Sequence, residues 1–255
     1  MNETIASFGK TDIGRRRKLN EDSLLVDDAT GLYVVADGMG GHSAGEVASR
    51  LAVEVVRNFI ARSKEEEEIT WPFGIDPQMS LNGNRLKTAV MLANKRVWKE
   101  ADSREDYTGM GTTVVAALVE REEVAICNAG DSRAYVFREG KLVQRTVDDS
   151  WVQAAFSEGI LKPDEIQHHP MRNIITKAVG ARETLDVTVI EDPWKVGDLY
   201  LLCSDGLHGM VPDAEMEEIV RNSGSRLDVA VERLIEAANA KGGKDNITAV
   251  AFRHT

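Results

Sequence analysis

Acidic residues recur at the ends of short apolar runs along the whole sequence. One such pair, Asp37-Gly38, is by itself most simply a hairpin turn. Repetition favours a shared site instead, because strand ends are rigid supports that can hold carboxylates in a fixed cluster. The acids at such ends are Asp22, Asp37, Asp131, Asp205 and Asp245.

These five positions offer only oxygen ligands, and no cysteine or histidine accompanies them at a useful spacing. Hard carboxylate sites suit magnesium or manganese rather than zinc or copper. Clustered carboxylates also repel one another unless cations lie between them. We therefore expect a binuclear site, in which a bridging water is polarised to hydroxide and the charge of an in-line displacement is stabilised.

A basic run, Arg15 to Lys18, precedes the first of these acids. Charge runs are most often solvated loops. Arg17 also has a functional interpretation, since an arginine beside a metal cluster can bind two phosphate oxygens with its planar guanidinium. Together with the acids, it points to hydrolysis of a phosphoester.

Each acid must be placed by a strand or a turn. Residues 32–45 are interpreted as a buried strand, an acidic turn, a glycine loop and the start of an amphipathic helix that runs from about Ser43 to Arg62. A second helix is predicted from about Asn84 to Ala101. Short apolar strands joined by tight turns, with few crossover helices, predict an α+β fold in which two antiparallel β-sheets pack as a sandwich flanked by pairs of α-helices.

Composition narrows the class of protein. The chain has 255 residues and a formal net charge of -11, which disfavours nucleic acid and anionic membranes as direct partners. Cys127 and Cys203 lie in apolar runs and are interpreted as core residues. No signal peptide or membrane-spanning run is visible, so we expect a cytoplasmic location. Because any cut would divide the five acids, a single domain over residues 1–255 is predicted.

Several segments also resemble the ordered motifs of the metal-dependent protein phosphatases, the PPM or protein phosphatase 2C-like family, in its bacterial serine/threonine branch. Six motifs occur in the family's order over almost the whole chain, which makes the resemblance specific. The segments are Arg17 to Asp22, Asp37 to His42, Gly109 to Thr113, Gly130 to Arg133, Cys203 to Leu207 and Lys244 to Thr248. The family's fold, a β-sandwich between helical layers, agrees with the architecture predicted above.

The resemblance implies roles for individual residues. Asp37 would bridge two core Mn²⁺ or Mg²⁺ ions, and Gly38 would bind one of them through its carbonyl. Asp205 and Asp245 would complete the coordination of the other ion, and Asp22 would act through metal-bound water. Asp131, with Asp205, would hold a third and weaker ion. Arg17 would hold the substrate phosphate, and a flap of residues 148–172 would help to choose substrates.

Two positions depart from the family's pattern. Met39 stands where animal members have a histidine proposed as the general acid, which is usual in the bacterial branch; His42 is the nearest substitute, either as a proton donor or as a plain loop residue. Asp149 stands where bacterial relatives usually carry histidine, which affects how far the behaviour of the flap can be carried over.

The leading hypothesis is hydrolysis of phosphoserine and phosphothreonine in phosphorylated proteins, by direct attack of metal-bridging hydroxide, in reversal of serine/threonine kinase signalling. One alternative is a catalytically silent relative that binds phosphoproteins, but every expected ligand position is filled. Another is an acidic calcium-binding protein, which would carry EF-hand spacing that is absent. Nothing in the sequence indicates an oligomer, so a monomer is expected.

Overall fold

The computed structural model describes residues 5–40, 44–66, 69–166 and 169–255. Within these ranges, no helix combines the length and the apolar character that a membrane crossing requires. The described chain contains two antiparallel β-sheets with helices on their outer faces, which confirms the predicted α+β sandwich.

Eleven strands form the two sheets of the described residues. The six in the first half of the chain are β1 (Ile5–Asp12), β2 (Asp22–Asp27), β3 (Leu32–Met39), β4 (Gly111–Thr112), β5 (Val114–Glu120) and β6 (Glu123–Ala129). The remaining five are β7 (Arg133–Arg138), β8 (Lys141–Gln144), β9 (Thr188–Pro193), β10 (Leu199–Cys203) and β11 (Ile247–His254). One sheet has the order β1-β11-β10-β7-β8; the other has the order β2-β3-β5-β6-β9, with β4 paired to β3.

Four longer helices cover the outer faces of the sheets. They are α1 (Ala44–Glu65), α2 (Leu81–Ser103), α6 (Asp213–Ser223) and α7 (Leu227–Ala240). Shorter helices are α3 (Trp151–Ser157), α4 (Pro163–Ile166), α5 (Asp205–His208) and a 3₁₀ turn at Glu105–Tyr107. Apolar residues of α1 and α2 share one core with the β2–β9 sheet, and those of α6 and α7 share another with the β1–β8 sheet.

Strand β3 shows why this sequence requires four layers. Leu32, Val34 and Ala36 belong to the core under α1 and α2, whereas Tyr33 and Val35 belong to the core between the sheets. Side chains alternate between the faces of a strand, so a strand that is apolar at every position must be covered on both sides. In the middle of the sandwich the Tyr33 ring stacks on Phe252, with ring centroids 4.1 Å apart.

Element boundaries differ modestly from the predicted ones. Helix α1 continues to Glu65, three residues beyond its predicted end. Lys64 in its last turn is partly buried; its Nζ donates to the Thr30 carbonyl at 2.8 Å and lies 3.6 Å from Glu120. Helix α2 begins three residues early, where the Ser80 hydroxyl accepts from the Gly83 amide at 3.0 Å. Both cysteines are buried and unpaired, as predicted.

Candidate active site

The five sequence-predicted acids gather at one edge of the sandwich. Asp22 at the start of β2 lies directly opposite Asp37 of β3 in the strand register. Asp131 follows β6, Asp205 follows β10, and Asp245 precedes β11. All five are close enough to act on one another electrostatically. Both sheets therefore contribute to one acidic cluster.

Burial and mutual repulsion both disfavour the charged form of these carboxyls. Burial raises the pKa of Asp22 to about 7 and that of Asp131 to about 7, with nearby Asp205 adding to each shift. Burial and Asp245 raise the pKa of Asp205 to about 6. Burial, followed by the other acids, raises the pKa of Asp37 well above its ordinary range. A cluster of this kind favours bound cations.

Two hydroxyls fix one oxygen of Asp22. Thr248 Oγ1 donates to Asp22 Oδ2 at 2.6 Å, and Ser204 Oγ donates to the same oxygen at 2.9 Å. Both donors come from the opposite sheet, next to Asp205 and Asp245. The carboxylate is thereby oriented with its other oxygen, Oδ1, without a hydrogen-bond partner in the part of the chain that the structure describes.

Hydrogen bonds hold Asp37 two residues before the end of β3, because Gly38 and Met39, predicted to lie in a turn and a glycine loop, continue the strand by pairing with β4. Its carbonyl accepts from the Thr112 hydroxyl and from the Thr113 amide, each at 2.8 Å, and its own amide donates to Thr113 Oγ1 at 3.1 Å. The next residue, Gly38, has no space for a side chain, since a Cβ there would lie 2.1 Å from the Gly45 carbonyl oxygen. Only glycine lets the first turn of α1 approach this closely.

Asp131 lies in the turn between β6 and β7. The ring of His208 contacts its carbonyl oxygen through Nε2 at 2.9 Å. Burial, reinforced by the charge of Arg133, lowers the pKa of His208 to about 3, so this ring is neutral at neutral pH. His208 thus supports the turn without adding a cation to the acidic cluster.

Arg17 lies at the rim of the cluster. Its Nη2 is 2.6 Å from Asp245 Oδ2, and its side chain is about half exposed. The loop that carries it is held by Asn246, whose Nδ2 donates to the Ile13 and Leu19 carbonyls at 3.0 and 2.9 Å. A guanidinium at this place is charged, open to solvent and adjacent to the acids.

The donor set suits a divalent cation in its chemistry. All five side chains are carboxylates, and two buried oxygens, Asp22 Oδ1 and Asp205 Oδ1, have no hydrogen-bond partner among the described residues. Buried acceptors without partners are costly and uncommon, and a hard cation would satisfy them. Over the same residues, no three acidic, histidine or cysteine side chains are already arranged to hold one ion. Arg17 Nη2 contacts Asp245 Oδ2 at 2.6 Å, so this carboxylate must release the guanidinium to bind an ion.

His42 is the one predicted site residue that lies outside the described residues, and its role stays a prediction, as do the roles of the others. Several supporting residues carried no predicted role. Ser204 and Asn246 adjoin predicted acids and Thr248 lies three positions beyond Asp245. All three fall within the motif segments quoted above, which is the signal in the sequence that could have indicated them.

The sandwich and the acidic edge together define a class of metal-dependent hydrolase. The family description "Protein phosphatase 2C" matches residues 13–249. The chain belongs to this family, which confirms the resemblance inferred from its motifs.

Known relatives cover nearly the whole chain. The "Serine/threonine phosphatase stp" of Listeria innocua is 38% identical over 246 residues, which are 94% of this chain and 92% of that protein. The serine/threonine protein phosphatase PstP of Mycobacterium tuberculosis is 36% identical over 94% of this chain, although that region is 43% of PstP. A crystal structure of the PstP catalytic domain in complex with two manganese ions has a TM-score of 0.82 at 33% identity, covering 98% of this chain and 97% of that one.

Proposed function

We propose that this protein is a phosphatase that releases phosphate from phosphoserine and phosphothreonine in proteins, with divalent metal ions as cofactors. The observation that carries the proposal is the convergence of five aspartates from both sheets beside an exposed arginine. Membership in the protein phosphatase 2C family and the serine/threonine phosphatase names of its relatives support it.

We propose that Asp37, Gly38, Asp205 and Asp245, with Asp22 through water, bind two Mn²⁺ or Mg²⁺ ions, and that Asp131 with Asp205 holds a third. Two partnerless buried carboxylate oxygens and an all-oxygen donor set support this assignment. When bound, the ions would lower the pKa of a water molecule and neutralise charge on the phosphate oxygens.

The chain's own groups then bind and orient the substrate. Arg17 is proposed to leave Asp245 and bind the phosphate, because a dianion competes well for a guanidinium whose present partner is also drawn to a metal ion. Asn246 keeps the Arg17 loop against β11, which limits the positions that this guanidinium can reach. His42 is proposed as the proton donor to the leaving serine or threonine oxygen.

The finer biological assignments are also proposals. The substrates would be proteins phosphorylated by a serine/threonine kinase, neither nucleic acid nor membrane would be a partner, and the working unit would be a monomeric single domain with residues 148–172 as its flap. The acids from both sheets support the single domain. The two unpaired buried cysteines favour a reducing compartment such as the cytoplasm.

The test is phosphate release from a panel of phosphoserine, phosphothreonine and phosphotyrosine peptides. We expect turnover of the first two with manganese, loss of turnover with a chelator, and recovery when manganese is restored in excess. Phosphopeptide binding without turnover would favour the silent relative, and preference for phosphotyrosine would contradict the proposed substrate class.

A further inference from the structure

The flap, residues 148–172, is closed at its base by a short antiparallel stem formed by residues 149–151 and 174–176. Ser150 and Ile175 form an isolated antiparallel bridge. The Trp151 amide donates to the Ile174 carbonyl at 2.8 Å, and the Thr176 amide donates to the Asp149 carbonyl at 2.7 Å. Both ends of the flap are therefore bonded to each other before they enter the sandwich.

Consecutive acids at the start of the stem contact both sides of the Asp131 turn. Asp148 accepts from Arg133 Nε at 2.9 Å and from Arg133 Nη2 at 2.8 Å. Asp149 Oδ2 accepts from the Gly130 amide at 3.2 Å, while the Asp149 amide donates to the Gly130 carbonyl at 2.9 Å. The residue before Asp131 and the residue two places after it are thus both tied to the flap.

Lys177, at the other end of the stem, completes the arrangement. Its Nζ lies 3.2 Å from Asp149 Oδ1 and 3.7 Å from Asp186 Oδ2. The Asp149 side chain is only 14% exposed, whereas that of Asp186 is 86% exposed. Since solvent screens an exposed pair far more than a partly buried one, the contact with Asp149 is the stronger of the two.

Both ends of the stem connect to Asp37 through one or two further residues. Gly130 packs so closely on Thr113 that a Cβ on the glycine would lie 2.7 Å from the threonine Cβ. Beyond Lys177, Val179 exchanges backbone bonds of 2.8 and 2.9 Å with Thr112. Thr112 and Thr113 are the residues that hold Asp37.

We propose that Asp149 and Lys177 are positioning residues. Together they hold both strands of the stem against the turn that carries Asp131, and this turn belongs to the acidic cluster. Asp149 does this with a side chain that is at once an acceptor for the Gly130 amide and an ion-pair partner for Lys177. The effect on turnover rests on the proposed function, but the effect on the stem does not.

The primary test measures hydrogen exchange at individual backbone amides of the full-length protein. Asp149→Asn keeps an acceptor for Gly130 and removes the charge, Asp149→Ala removes both, and Lys177→Met removes the cation. We expect exchange at the Thr176 and Gly130 amides to rise about tenfold in Asp149→Asn and Lys177→Met, and further in Asp149→Ala. Lys177→Arg should retain slow exchange.

Asp186→Asn is the matched control, because it removes the exposed partner of the same lysine. Exchange in that variant should stay within about twofold of wild type, as should exchange at amides of β11 in every variant. Unchanged stem amides in Asp149→Ala, or an equal rise in Asp186→Asn, would overturn the proposal. If Asp149→Ala also exposes the β11 amides, it is unfolding globally, and Asp149→Asn and Lys177→Met then decide.

Steady-state kinetics distinguish a role in positioning the flap from a role in folding alone. With manganese saturating, Asp149→Asn should raise KM for a phosphopeptide several-fold more than it raises KM for p-nitrophenyl phosphate, since the flap is proposed to contact the peptide around the phosphate and the small substrate has no such extension. Asp149→Asn/Lys177→Met should be no worse than the worse single variant if the two residues act as one unit. Equal changes for both substrates, or additive losses in the double variant, would contradict it. A wild-type protein without phosphatase activity would refute the proposed function and leave the exchange result valid.

Discussion

The two ends of β10 carry the same residue type in opposite settings. Asp198, just before the strand, is 2% exposed and receives Arg138 Nε at 2.8 Å and Arg138 Nη2 at 2.6 Å. Asp205, just after the strand, is surrounded by other acids and has a buried oxygen with no hydrogen-bond partner among the described residues. Among the described residues, Asp198 has a hydrogen-bonded counter-ion, whereas no arginine or lysine forms an ion pair with Asp205.

The same contrast extends across the sandwich. Asp192 is paired with Arg145 as Asp198 is with Arg138. Neither pair belongs to the acidic cluster. Asp22 is buried to a similar degree as Asp192, at 7% against 8% exposed, yet the described residues that donate to its carboxylate are two hydroxyls and no cation. A fold selected for stability alone has no reason to bury carboxylates without cations. The buried carboxylates that lack cationic partners are therefore best explained as ligands for bound cations.

Among these variants, Asp205→Asn should have the largest effect, and this effect is on the rate of phosphate release. Phosphate release with manganese should fall about 1,000-fold or more, because the carboxylate acts as part of one catalytic unit. In a chelator, the free energy of unfolding should stay equal or rise, because a buried charge surrounded by like charges is removed. The measurements are single-substrate kinetics and denaturant unfolding. Near-normal activity, or a clear loss of stability in chelator, would contradict the claim that Asp205 serves catalysis and Asp198 serves stability.

The pH dependence of stability in a metal-free buffer should sharpen the same contrast. The folded-state pKa of Asp22 is raised to about 7, so between about pH 4 and pH 7 the folded protein holds a proton that the unfolded chain has lost. Stability in chelator should therefore fall as pH rises through this window, by on the order of 3 kcal/mol for this group.

Manganese should flatten that slope, because a cation satisfies the deprotonated carboxylates. Unfolding curves in urea at pH 5 and pH 8, each with chelator and with manganese, provide the measurement. A chelated protein that is more stable at pH 8 than at pH 5 would show that the acidic edge is not the dominant titrating feature.

Asp198→Asn, the same change at the other end of β10, should act on stability alone. The loss should be about 2 kcal/mol, since a buried hydrogen-bonded ion pair is broken while the partly exposed Arg138 can regain water. For a chain of this size, that corresponds to a decrease of about 4–8 °C in Tm. The kcat with manganese should be unchanged; a large fall in kcat at matched folded fraction would contradict the separation of roles.

The smallest effect is expected from Arg17→Ala. Its ion pair with Asp245 is substantially exposed, so the change in stability should be below about 0.5 kcal/mol. KM for a phosphopeptide should rise about tenfold, because one charged contact to phosphate is lost, while the manganese affinity changes much less. Arg226→Ala, which breaks the exposed pair with Asp228, is the control and should leave KM unchanged. An unaltered KM in Arg17→Ala would exclude its phosphate role.

Local patterns in the sequence were sufficient for the architecture and for the location of the acids. The strand that carries Asp37 and the helix α1 are recognisable because an apolar run and helical spacing are properties of contiguous residues. Acids at strand ends follow from the same local information. The convergence of both sheets on one edge was inferred from that repetition, and the structure confirms it.

Partners distant in sequence were not predictable in the same way. Arg138 and Asp198 are 60 positions apart, and Asp149 contacts Lys177 across the whole flap. Nothing in the neighbourhood of either residue specifies its partner, because pairing depends on how the sheets and the flap meet. The last turn of α1 lay beyond the predicted helix for the same reason, since the acceptor of Lys64 at Thr30 lies in the turn between β2 and β3.

Strand β11 has a consequence for the order in which the protein matures on the ribosome. It lies between β1 and β10, pairing with Ile5–Asp12 on one side and with Leu199–Cys203 on the other. Until residues 247–254 have been synthesised and have emerged, β1 has no strand beside it in its own sheet, and Asp245 is not yet held in place by β11. The nascent chain thus completes its acidic edge only after this strand has paired, and products truncated before residue 245 lack it.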